Sequence, residues 1–224
     1  MNYELTKISN TNYGPCHIEY SVKFGLFIVG TYKLVEEKNF DDYEIDHLKS
    51  INYRKGSFLL FNKENQCIAS HDCLQGGVYD FKLINCDWIE HNVEVIVAAH
   101  ANGTFAFYRL YRNSFEYLCC CSTSCALLCS IDYIINRNQI LIATGGLDGW
   151  FSHCHCKLND SLNSNYFTCF DSVETTNYKL YFDNIWFIKL LPFEAINLLF
   201  IGSEDSFLEV FEETWFVYLK RLVF

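Results

Sequence analysis

The apolar positions of this chain come in short runs rich in β-branched, aromatic and Cys residues, each bounded by Gly, Asn, Asp or Ser. Such runs read as strands, and no stretch shows a sustained helical period. One order of runs recurs. Around 77–110 the chain reads GGVYDFKLI, a polar gap, then VEVIVAAHANGTFAFYRL. Around 127–156 it reads LLCSIDYII, a gap, then QILIATGGLDGWFSHCHC. Around 185–211 it reads IWFIKLLPF, then INLLFIGSEDSFLEVF, and a looser copy opens the chain with HIEYS, LFIVGTYKLVEE and GSFLLF.

Each copy holds three strand-like pieces with a tight turn between the last two. Asn102-Gly103 and Asp148-Gly149 are two-residue hairpin signals, in which both central residues would take positive φ. The spacing from Gly56 to Gly103 is 47 residues, from Gly103 to Gly149 it is 46, and from Gly149 to Ser206 it is 57. Periods of this size are those of β-propeller blades. The fold class expected is therefore all-β: a partial WD-repeat β-propeller of about four blades with an open ring. Residues 1–213 form the propeller, with blades near 14–62, 76–110, 125–158 and 180–213, and 214–224 reads as a divergent C-terminal tail. Four blades leave two open sheet edges and exposed inter-blade apolar faces. The first copy carries a charged insertion over 36–56, read as a solvated loop.

Composition narrows the function classes. Half of the 224 residues are apolar, with 20 Phe, 15 Tyr and 4 Trp, so a packed core is expected rather than disorder. The net charge of −10 disfavours a phosphate backbone as partner, so no nucleic acid is expected. The N-terminus MNYELTKISN has no apolar signal segment, and no run is long enough to span a membrane. The expected location is cytoplasmic, where thiols stay reduced.

The twelve cysteines pose the main chemical question. Residues 119–129 read CCCSTSCALLC and 153–156 read HCHC. On a strand, His153 and His155 share one face while Cys154 and Cys156 share the other, so the four cannot converge on one zinc. Cys121, Cys125 and Cys129 are four apart, but Cys129 already belongs to a strand and no second ligand pair closes a site. These thiols read as buried small hydrophobes, and neither a metal nor a cofactor is expected. No nucleophile elbow or zinc-protease motif is present. IGSEDS at 201–206 reads as turn chemistry, and His100, just before a hairpin turn, as a structural hydrogen bonder.

Taken in order, the pieces resemble the WD-repeat family that hydrolyses diphthine methyl ester, also called diphthine methyltransferase. GLFIVGTYKLVEE (25–37), RKGSFLLFN (54–62), GGVYDFKLI (76–84), VAAHANGTFAFYRL (97–110), CSIDYI (129–134), TGGLDGWFSHC (144–154), YFDNIWFIKL (181–190) and FIGSEDSFLEVFEE (200–213) follow the strand order of that family. The chain departs from the family's pattern at Tyr181 and Asn184, where that pattern has His and Glu, keeps Trp186, and has Phe211-Glu212 in place of a Trp-Asp pair. The resemblance implies a role in diphthamide biosynthesis: hydrolysis of the methyl ester of methylated diphthine, a modified histidine of translation elongation factor 2. It carries over no catalytic residue. The alternative is a non-catalytic WD-repeat scaffold. A chain of four blades is accounted for by truncation, by a second chain that completes the ring, or by a divergent short form.

Overall fold

The computed structural model describes residues 11–35, 54–84, 92–136, 139–157, 172–180, 184–193, 196–204, 207–212 and 217–223. Among the described residues there is no helix, and so none long and apolar enough to cross a membrane. Most of the insertion over 36–56, together with Tyr181 and Ser206, lies outside the described residues.

Among the described residues the strands form four antiparallel sheets, each built from consecutive chain segments. The first sheet is β1 (Gly14–Ser21), β2 (Leu26–Leu34), β4 (Ser57–Phe61) and β5 (Cys67–Asp72), with the short β3 (Arg54–Lys55) also paired to β2. The second is β6 (Val78–Ile84), β7 (Glu94–His100), β8 (Thr104–Tyr111) and β9 (Ser114–Ser122). The third is β10 (Leu128–Asn136), β11 (Gln139–Gly146), β12 (Trp150–Lys157) and β13 (Ser172–Lys179). The fourth is β14 (Ile185–Phe193), β15 (Ile196–Ser203), β16 (Phe207–Glu212) and β17 (Val217–Val223). The first strands are neighbours in turn: β1 with β6, β6 with β10, and β10 with β14. The arrangement is consistent with a β-propeller-like fold.

Two expectations change. Beyond the three pieces legible in each copy, each sheet has a fourth strand, as four-stranded modules require, and β17 occupies most of the stretch read as a divergent tail. The hairpins also differ. Gly103 and Gly149 take φ of 76° and 73°, but Asn102 and Asp148 are not among the residues at positive φ. The Gly103 N–H donates to the His100 carbonyl and the Gly149 N–H to the Gly146 carbonyl. Each loop therefore has three residues, a tight turn followed by a left-handed glycine. Asn102 uses its side chain instead: Oδ1 accepts from the Thr104 amide at 3.2 Å and from its hydroxyl at 2.7 Å.

Three apolar layers lie between the sheets. Ile28, Phe58 and Leu60 of the first sheet meet Phe81, Ile96 and Tyr108 of the second. Val97, Phe105 and Phe107 of the second meet Ile131, Ile142 and Cys154 of the third. Leu141, Ala143 and Phe151 of the third meet Ile188, Leu199 and Ile201 of the fourth. Small residues on the second strands admit the next sheet. A Cβ at Gly30 would lie 2.8 Å from Val78 Cγ1, and one at Gly145 would lie 2.5 Å from Ile185 Cγ2.

Candidate functional site

All four first strands carry a β-bulge at the same place: between Pro15 and His17, Val78 and Asp80, Leu128 and Ser130, and Ile185 and Phe187. A bulge adds one residue and re-aims the side chains that follow it. Counting from the bulges, His17, Asp80, Ser130 and Phe187 are equivalent. Two residues on, so are Glu19, Lys82, Asp132 and Lys189. The second set alternates in charge along the four neighbouring strands.

The polar members of these sets lie along one row in two bonded groups, His17, Glu19, Asp80, Lys82 and Ser130 in one and Asp132 with Lys189 in the other. His17 Nδ1 lies 3.2 Å from Asp80 Oδ1, and His17 Nε2 lies 3.2 Å from Glu19 Oε1. Lys82 Nζ donates to Asp80 Oδ1 at 2.9 Å and stands 3.8 Å from Glu19 Oε1. Lys189 Nζ is 3.0 Å from Asp132 Oδ2. Carboxylates also tie one sheet to the next. Asp80 Oδ2 accepts the Ile131 amide at 2.9 Å, and Asp132 Oδ2 accepts the Leu190 amide at 2.8 Å. Ser130 Oγ accepts the Ile188 amide at 3.0 Å and lies 3.5 Å from Asp80 Oδ2.

Exposure divides the row. The Asp132 side chain is 3% exposed and that of Asp80 12%, whereas Glu19 is 33% and Lys189 43% exposed. The first two are brackets between sheets, and the last two can meet a ligand. The hydrogen bond from His17 holds the Glu19 carboxyl below its ordinary range; burial opposes this, and the charges of Lys82, His17 and Lys189 add to it. Both nitrogens of His17 face carboxylates, and Ser130 bonds to Asp80 rather than to an imidazole. The row is therefore not a serine-type charge relay, which needs the imidazole between hydroxyl and carboxylate.

Beside the row, aromatic rings and basic groups gather at one rim. Tyr32 and Tyr79 stack with centroids 5.1 Å apart, and Lys33 Nζ stands 6.0 Å from the Tyr13 ring. A cleft of about 460 Å³ opens there, lined by Tyr13, Arg54, Lys55, Asp72, Gln75 and Asn102 among others. The exposed Trp186 is the bulge residue of β14, as Tyr79 is of β6.

The cysteines lie elsewhere. Cys154 and Cys156 point into the layer between the second and third sheets, beside Cys119, Cys121 and Cys125. His153 and His155 lie on the opposite face with ring centroids 4.5 Å apart. Burial pushes the Cys154 thiol up to about 12 and Cys125 to about 11, and it raises Cys156 further. Such thiols are poor nucleophiles, because the thiolate is the reactive form. Cys129 donates to the Ile185 carbonyl at 2.6 Å, and burial raises it to about 12. All the described cysteines are free, and no group of three or more His, Cys, Asp or Glu among the described residues is placed to hold a metal ion.

His100 is fully buried. Its Nδ1 lies 3.4 Å from the Gly76 carbonyl, and the Tyr108 hydroxyl sits 3.0 Å from both His100 Nε2 and Gln75 Oε1. It pins the loop before β6 to the second sheet, the structural role its place before a hairpin suggests. Asn184 Nδ2 donates to Glu204 Oε2, and Phe211 packs in the last apolar layer while Glu212 is half-buried. Neither pair joins the polar row. The row itself was missed in the sequence, although its signal is there as H-I-E, D-F-K, S-I-D and F-I-K at matched places in the first strands.

No family model and no curated protein matches this chain.

Proposed function

We propose that the four sheets are blades of a partial WD-repeat β-propeller, and that the chain recognises methylated diphthine on translation elongation factor 2 and hydrolyses its methyl ester. The observation that carries this reading is the row of ionisable groups on the four first strands. An enzyme needs titratable groups clustered where the blades converge, and a purely structural propeller does not. The order of the blade motifs supplies the substrate class.

The reaction adds water to the ester carbonyl and expels methanol, leaving a carboxylate. It needs a group that holds the water and donors for the tetrahedral oxyanion. Glu19, the most open carboxylate of the row, holds the water, and Lys189, the most open cation, faces the oxyanion. The quaternary ammonium of the substrate suits the faces of Tyr32, Tyr79 and Trp186 through cation–π attraction. The net charge of −10 favours a basic target segment.

The test is to incubate the purified chain with methyl-esterified diphthine on elongation factor 2 and weigh the product. Loss of one CH₂ unit is expected, and Glu19→Gln should slow it by about 10²-fold or more. No loss, under conditions where a longer member of the resembled family cleaves the ester, overturns the catalytic reading. A second reading, a non-catalytic interaction module, is favoured by one observation: each carboxylate and lysine of the row is already paired with a neighbour. It predicts binding to elongation factor 2 with the ester intact.

A further inference from the structure

The two outer faces of the sheet stack are complementary. Within the chain, the first-strand residues Phe81, Ile131 and Ile188 turn towards the preceding sheet and are buried there. The equivalent residue of the first sheet is Ile18, which is 60% exposed, and Tyr20 beside it is also exposed. Behind them a groove of about 430 Å³ runs over Pro15, Ile18, Phe27, Val29 and Phe61. At the other end, Phe187 and Leu191 turn away from the third sheet, where no described residue covers them, and both are exposed. A Cβ at Gly30 or Gly145 would run into a side chain of the next sheet, but the atoms nearest a Cβ at Gly202 all belong to Phe187 of its own sheet, at 3.4 Å or more. Counting from the bulges, the residue that would fill Gly202 is the counterpart of Val78 and Ile185, which in the first sheet is Pro15.

Charge follows the same order. Along the row Glu19, Lys82, Asp132 and Lys189 alternate in sign, so the next member after Lys189 should be an acid, and the first sheet begins the row with Glu19.

We propose that two copies of this chain associate head to tail, with the fourth sheet of one packed on the first sheet of the other and Lys189 of one copy beside Glu19 of its partner. The occupant of each open face is the opposite face of a second copy. A contact between unlike faces closes into a ring if the rotation allows and otherwise extends, and either form satisfies the proposal. The inference rests on the blade reading alone, so its failure leaves the ester assay untouched.

The experiment measures mass in solution by sedimentation, with circular dichroism as a check on folding. Wild-type chain is expected as a dimer or larger, in a concentration-dependent way. Ile18→Glu, on the first sheet, and Leu191→Glu, on the fourth, each place a charge on an exposed apolar position and should give folded monomers. An equimolar mixture of the two should recover a dimer, because the intact fourth sheet of one variant meets the intact first sheet of the other. A monomeric wild type at all concentrations overturns the proposal. So does either variant alone remaining associated, or a mixture that stays monomeric. If a variant fails to fold, Tyr20→Lys for the first sheet or Phe187→Lys for the fourth replaces it in the same cross.

Discussion

Ile18 and Ile131 occupy the same position in two copies of one repeat, yet one is 60% exposed and the other is fully buried. Both follow the bulge of a first strand by the same count, so both lie on the same face of their sheets. The difference is the neighbour. Ile131 packs with Val97, Ala99 and Phe107 of the second sheet, while among the described residues no sheet covers Ile18. The contrast shows that stability here lives between sheets rather than within them. A four-stranded sheet supplies its own hydrogen bonds, but its apolar faces are buried only by stacking.

Truncation is the most forceful way to break that comparison. Ile131→Ala should cost about 2–5 kcal/mol, the range for a large core side chain that leaves a cavity. Ile18→Ala should stay within about 0.5 kcal/mol in the monomer, as for ordinary surface positions. Urea unfolding of both variants under dilute conditions measures the difference. Equal costs would mean that something covers Ile18 in the isolated chain.

The interior between the first two sheets has a second signature, which is pH. Burial lowers the His100 imidazole from 6.5 to about 4. Between those values the unfolded chain binds a proton that the folded chain refuses. Stability therefore rises with pH across this window and is lost as pH falls from about 6.5 towards 4. For a fully buried ring the loss is on the order of 3 kcal/mol. His100→Gln should flatten the dependence, at the cost of lower stability at neutral pH. Melting temperatures at a series of pH values for both proteins check this. An unchanged slope in the variant would place the titrating group elsewhere.

How much of this was legible in the sequence follows from burial. The first three strands of each sheet alternate or run continuously apolar, since they face neighbours on one or both sides, and their order was readable. The outer strands were not. Residues of β5 (CIASHD) and β9 (SFEYLCCCS) are mostly exposed or half-buried, so no period marks them. The opposed faces of His153 and Cys154 followed from strand alternation. The polar row did not, because a bulge offsets each first strand by one residue and hides the shared register until the pairing is known. The hairpin reading failed for a related reason: Asn-Gly fits a two-residue loop, but the register of β7 with β8 makes Asn102 the middle of three loop residues, where its side chain accepts from Thr104.

The row itself separates structural charge from available charge, and Glu19 tests that division. Its carboxyl is held low chiefly by the hydrogen bond from His17. A depressed carboxyl stabilises the fold above its unfolded value and loses that contribution as pH falls through its folded value. The window therefore lies at and below the ordinary carboxylate range, under that of His100. Because the Glu19 side chain is 33% exposed, solvent screens the effect to less than about 1 kcal/mol. Glu19→Gln should thus leave the neutral-pH melt nearly unchanged and remove only this small acid-side slope, while abolishing most ester cleavage. If the variant instead melts early at neutral pH, Glu19 is a bracket between sheets like Asp132, and the open end of the row is not the reactive one.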